Sequence, residues 1–128
     1  MCLSINKNVK LPKVQKDGYC IGYKVVYHHD TSIYQCHKYV LGINKSNRRQ
    51  KPLYLFETNR EEVHQGFHIF LRLRTAKKML VNRTGCRKII KVFFKPENVV
   101  ALGTWENSHN VVVTKLLVKS LNNICKEE

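Results

Sequence analysis

The 128 residues include 43% hydrophobic ones, enough to close one core without disulfides and too many for a disordered chain. Lys and Arg number 23 against 9 Asp and Glu, a formal charge of +14, which excludes an acidic surface and favours polyanionic partners. No apolar run reaches membrane-spanning length, and Lys7, Lys10, Lys13 and Lys16 interrupt any signal-peptide core. The five cysteines (Cys2, Cys20, Cys36, Cys86, Cys125) are odd in number and scattered, as expected of reduced thiols. The expectation is therefore an intracellular, cytoplasmic protein whose sequons at Asn44 and Asn82 go unused.

In chain order, residues 1–17 read as an extended basic N-terminal arm in which Pro12 excludes a helix interior, and residues 18–128 as one domain. Cys20 to Tyr27 places Ile21, Tyr23, Val25 and Tyr27 on one face of a first core strand, with Gly22 marking a bulge or the close approach of another backbone or ligand. A short strand is expected at Tyr39-Val40-Leu41 and an edge strand over Leu53 to Phe56. From Lys38 to Lys51 there are five basic residues, Lys38, Lys45, Arg48, Arg49 and Lys51, and no acid, so this loop reads as a flexible second site for a polyanion or as a solvated, mobile loop. Asn59-Arg60-Glu61-Glu62 has the form of a capping box that opens a helical turn.

The stretch from Phe67 to Leu73 alternates apolar residues with His68, Phe70, Arg72 and Arg74, the period of a strand with one buried face. Thr75 then serves as the N-cap of a short helix through Ala76, Met79 and Leu80, ended by Asn82 to Gly85. Arg87 to Phe94 is apolar on both faces apart from Lys91, which predicts a central strand covered on both sides and stopped by Pro96. Strands are also expected over Asn98 to Gly103 and Val111 to Val118, joined by a loop with Trp105, Glu106 and His109. The tail from Lys119 forms a helical turn or frays. From Val63 to Pro96 there is no acid. Arg72, Arg74, Lys77, Lys78, Arg87 and Lys88 thus become the predicted phosphate contacts.

Other chemistry is thinly represented. His28, His29, Asp30, Cys36 and His37 are metal-ligand types, but lack the paired spacing that sets two ligands on one ion, and a polar loop explains them equally. Cys2 offers a terminal nucleophile only if Met1 is removed. Trp105 with Glu106 and His109 either contacts a ligand or packs on the core edge. No Gly-rich phosphate loop, nucleophile elbow or paired-carboxylate motif is present, which points away from an enzyme and implies no cofactor.

The opening Met1-Cys2-Leu3, the strand Gly22-Tyr23-Lys24-Val25, and Gly66-Phe67-His68 followed by Phe70 and Ala76 resemble a loosely defined group of small phage and bacterial proteins. That resemblance implies a phage or mobile-element accessory protein acting on host processes. The same strands are similar to those of the small ADP-ribosyltransferase fold. This second resemblance implies a nucleotide pocket around Tyr23, Lys24, His68 and Trp105, although Val111 to Val118 carries no acid for such chemistry.

The reading as a whole is a single α+β domain: a mainly antiparallel, twisted sheet of about five or six strands with one or two short helices. The expected role is a basic, non-enzymatic binding protein for a polyanion, most simply nucleic acid. The alternatives are an inhibitor that docks on an acidic host protein, and a nucleotide-binding or ADP-ribosyltransferase-like protein.

Overall fold

In a computed structural model, the described residues are 3–6, 8–32, 37–46, 62–63, 66–80, 87–105 and 108–124. They form one antiparallel sheet and one short helix, a small α+β arrangement. The strands are β1 (Leu3–Ile5), β2 (Cys20–Tyr27), β3 (Gly42–Lys45), β4 (Glu62–Val63), β5 (Phe67–Phe70), β6 (Arg87–Phe94), β7 (Val99–Trp105), β8 (Ser108–Val113) and β9 (Lys115–Val118), and the helix α1 is Leu73–Lys78. Across the sheet the order is β3-β9-β6-β2-β5-β8-β7-β1-β4.

The sheet thus has nine strands among the described residues, not five or six. Within the N-terminal segment Leu3–Ile5 pairs with both β7 and β4, and Leu3 and Val9 are buried in the domain. The apolar run from Val111 to Val118 is two strands, β8 and β9, broken at Thr114, whose N–H donates to the Asn98 carbonyl. Glu62 lies in a strand instead of a helical turn, and the chain past Val118 bends without a helix as far as Ile124, whose N–H donates to the Ile89 carbonyl. The expected strand at Tyr39-Val40-Leu41 moves on to Gly42–Lys45. The expected strand over Leu53 to Phe56 and the helix stop at Asn82 to Gly85 lie outside the described residues.

Period-2 alternation sorts every strand into two faces. One face gathers Cys20 and Val26 of β2, Phe67 and Ile69 of β5, Ile90, Val92 and Phe94 of β6, Val111 and Val113 of β8, and Leu116 and Val118 of β9 into one cluster, joined by Tyr39, Leu11 and Leu121. This is the inner face. Gly22 belongs to it, and a Cβ there would collide with the Ile69 side chain and press on Phe94, so the expected close approach is a neighbouring strand's side chain. On the outer face α1 covers one patch: Ala76 packs with Val25, Phe70 and Ile89, flanked by Tyr23, Leu73, Met79, Leu80 and Trp105. The helix starts earlier than Thr75. Its N-cap is Arg72, and the Thr75 hydroxyl donates to the Arg72 carbonyl at 2.9 Å. Strand β5 accordingly ends at Phe70, short of the expected Leu73.

Candidate nucleic-acid interface

The outer face beyond the helix carries an ordered set of cations. Register places Ile21 beside Phe93, Phe93 beside Leu117 and Leu117 beside Ile43, so one apolar row runs across β2, β6, β9 and β3. Two residues along each strand, on the same face, stand lysines: Lys95, Lys115 and Lys45 on one side of the row, with Lys45 and Lys115 directly paired, and Lys91 and Lys119 on the other. Lys45, Lys91, Lys115 and Lys119 are exposed and Lys95 half-exposed. An open cavity of about 440 Å³ lies on this surface, lined by Tyr19, Ile43, Phe93 and Leu117 together with Lys45, Lys95 and Lys115.

Two rings are held by cations within this surface. The Lys119 ammonium stands 4.3 Å from the Phe93 ring centre and that of Lys95 5.3 Å from Tyr19, distances at which the ring quadrupole attracts a cation. The acids nearby are Glu97, 3.9 Å from Lys95, and Asp17, 3.8 Å from Lys119, all four groups well exposed. Ion pairs that open to water are worth little and leave the lysines available.

Of the basic residues predicted from sequence, Arg72, Arg74, Lys77 and Lys78 are exposed on or beside α1. The helix sits on the same outer face, next to Tyr23, which is paired with Lys91. Helix and lysine-bordered row are therefore parts of one surface. Arg87 is half-buried, with Nη1 donating to the Met79 carbonyl at 3.4 Å and its guanidinium 6.0 Å from the Tyr27 ring. Lys88 departs from expectation. Its position in β6 has inner-face parity, so it is buried, paired with Asp30 at 2.5 Å and donating to the Leu121 carbonyl at 2.6 Å. It is not available to a phosphate. Arg48, Arg49 and Lys51 lie outside the described residues. Conversely, Lys91, Lys95, Lys115 and Lys119 had a signal in the sequence: Lys91-x-Phe93-x-Lys95 and Lys115-x-Leu117-x-Lys119 both alternate with period 2. Only the Ile89 end of β6 is covered by the helix, so the expectation of a strand buried on both sides holds for half of it.

The expected nucleotide pocket is divided between the two faces. Lys24 points to the inner face and is 7% exposed. Strands β2 and β5 pair only at Tyr23 and Phe70; beyond that point Ser32 takes the edge of β2 at Val26, and Lys24 Nζ donates to the His68 carbonyl at 2.7 Å. Burial pushes the Lys24 amine down to about 7. Tyr23 and His68 lie on the outer face, where His68 is buried with Nδ1 3.2 Å from the Gly66 carbonyl. Trp105 ends β7 and packs edge-on to Phe70, ring centres 6.1 Å apart, in the position that serves the core edge.

The metal-ligand types are likewise engaged elsewhere. Asp30 is taken by Lys88, His29 stacks on Tyr27, and His37 Nε2 lies 3.1 Å from Asn44 Oδ1. Among the described residues no three potential ligands converge, and no helix is long and apolar enough to cross a membrane. Cys2, Cys36 and Glu106 lie outside the described residues. Compared with known proteins, the chain matches no family model, no curated protein and no solved structure.

Proposed function

We propose that this protein is a non-enzymatic nucleic-acid-binding module that engages the phosphate backbone through the outer face of its sheet and the adjoining basic helix. One observation carries the reading: register sets the period-2 lysines of β6 and β9 side by side around a partly exposed row of apolar side chains. Lysines so arranged are point charges for phosphates, and each phosphate neutralised releases counterions, which makes binding fall steeply with salt. Contacts of this kind position a backbone and read little sequence.

The test is fluorescence anisotropy of the nuclease-treated protein with labelled DNA and RNA, titrated across salt. Reversing Lys91, Lys95 and Lys115 to Glu, or Arg72, Arg74, Lys77 and Lys78, should weaken binding at least tenfold and flatten the log–log salt slope by about 0.7–0.9 for each phosphate no longer neutralised. The same change at Lys10, Lys13 and Lys16, exposed lysines on the segment that leads Leu11 over the inner face, should do much less. Equal losses in all three variants would mean that net charge alone is acting, and the reading would fall.

A second reading, an inhibitor that docks on an acidic protein, is favoured by Leu41 and Ile43, which are 63% and 50% exposed beside Lys45 at the β3 edge. Exposed apolar side chains rimmed by charge suit a protein partner. Capture of a partner from nuclease-treated lysate that is abolished in Ile43→Glu would support it over the first.

A further inference from the structure

The residues between the lysines say more about the ligand than the lysines do. A duplex hides the faces of its bases in the stack and offers a protein its phosphates and its groove edges. Its major groove admits a helix or a two-stranded ribbon, not the flat of a many-stranded sheet. Against a duplex, Phe93, Leu117 and Ile43 would gain nothing. A single strand exposes base faces, and aromatic rings set among cations are what such faces stack on.

From this we infer that the outer sheet face is selective for single-stranded nucleic acid, with bases stacked on Phe93 and Tyr19 and the flanking lysines on the phosphates. The inference rests on the phosphate-binding reading above and adds the ligand class. Along β6, Lys91 and Lys95 stand about 7 Å to either side of Phe93, so a backbone running along the strand meets a cation before and after the ring. The ammonium of Lys119 now occupies the face of Phe93 at 4.3 Å. A base takes its place, and the long lysine side chain swings out to a phosphate. The cavity of about 440 Å³ lies within the ~300–1,000 Å³ range of ligand sites. Its apolar floor is Phe93, Leu117 and Ile43, with the polar side chains of Tyr19, Glu97 and Asn98 also in its lining, so stacking on the floor tolerates any base.

The experiment compares labelled oligothymidylate, a mixed-sequence DNA strand, an RNA strand of that sequence and the matching duplex. Each is titrated into the wild-type chain, Phe93→Leu and Tyr19→Leu. Leucine keeps apolar volume and removes the ring face, and both positions are only half-buried, so the two variants report independently. Stacking is worth ~1–3 kcal/mol per base, or about 5- to 150-fold at 1.4 kcal/mol per tenfold. Single strands should bind at least fivefold more tightly than the duplex. Each leucine variant should lose at least fivefold on single strands with an unchanged salt slope, and nothing on the duplex. DNA and RNA strands that differ less than the single strand and duplex do would confirm base faces as the target. Equal binding of single strands and duplex, with both leucine variants neutral while the lysine reversals still abolish binding, would overturn this inference and spare the phosphate-binding reading. Absence of salt-dependent binding to any nucleic acid would overturn both.

Discussion

Replacing Lys24 with Met should reverse its effect on stability between acid and alkali. The amine is buried on the inner face, donates to the His68 carbonyl at 2.7 Å, and is pushed down to about 7 by burial, against roughly 10.4 in an unfolded chain. Between about pH 7 and 10.4 the unfolded chain therefore binds a proton that the folded chain does not. Stability must rise with pH across that window, at about 1.4 kcal/mol per pH unit. Below pH 7 the full cost of holding a buried ammonium remains, of order 5 kcal/mol; above 10.4 it is gone. Met is close in shape and carries no charge, but leaves the His68 carbonyl without this donor, a penalty of about 1–3 kcal/mol at any pH. The variant should be more stable than the wild type by roughly 2 kcal/mol at pH 6 and less stable by a similar amount above pH 10, with the curves crossing near pH 9. Urea unfolding of both chains at fixed pH from 6 upward measures this, with equal m-values as the check that only stability has changed. Other titrating groups are common to both chains and cancel in the difference. A difference that stays constant with pH would refute the reasoning, since it would mean that the folded protein keeps Lys24 charged at no cost.

Asp30→Asn tests the buried partner of Lys88. Asn tolerates the left-handed backbone found at this position, φ 72°, so the change removes the ion pair alone and should cost about 2 kcal/mol in thermal or urea unfolding, toward the low side of what breaking a buried pair costs because Asp30 is partly exposed. The double variant with Lys88→Met should recover most of it, and additive effects would show the two groups to be uncoupled. Leu3→Ala tests the incorporation of the N-terminal segment. Leu3 is 0% exposed against Ala101 and Val112, so truncation should cost about 2–5 kcal/mol, whereas an unchanged urea midpoint would mean that the segment is a solvated arm after all.

The positions of several strands were legible from sequence. Cys20 to Tyr27 and Arg87 to Phe94 form the expected strands over their full length, and β5 begins at Phe67 as expected, although all four of its residues are buried and not one face alone. The signal failed where local sequence and distant partners disagree. Val111 to Val118 is apolar apart from Thr114 and Lys115, and the turn at Thr114 that splits it is fixed by the carbonyl of Asn98 from another part of the chain. Residues 3–5 carry too little apolar surface to announce a strand, and pair because β7 has an open edge for them. For the candidate pocket, Tyr23, Lys24 and His68 were grouped by nearness in two strands, but adjacent residues of one strand face opposite ways.

That same parity decides which cations can serve a ligand. Within β6, Lys88 and Lys91 are an odd number of positions apart, so one must point inward when the other points out, and the apolar set Ile90, Val92 and Phe94 assigns the inner face to Lys88. The inward lysines, Lys24 and Lys88, are each held by a main-chain carbonyl. They stitch the inner face together at points where the sheet opens or the tail crosses. The outward ones, Lys91, Lys95, Lys115 and Lys119, have no comparable structural task, since the pairs that Lys95 and Lys119 make with Glu97 and Asp17 lie in water and contribute little. Cations crowded on one face repel each other and lower stability, and folding gives no return for placing them around Phe93 and Leu117. A polyanion bound there would, so the proposed function rests on the outer face and not on the total of +14.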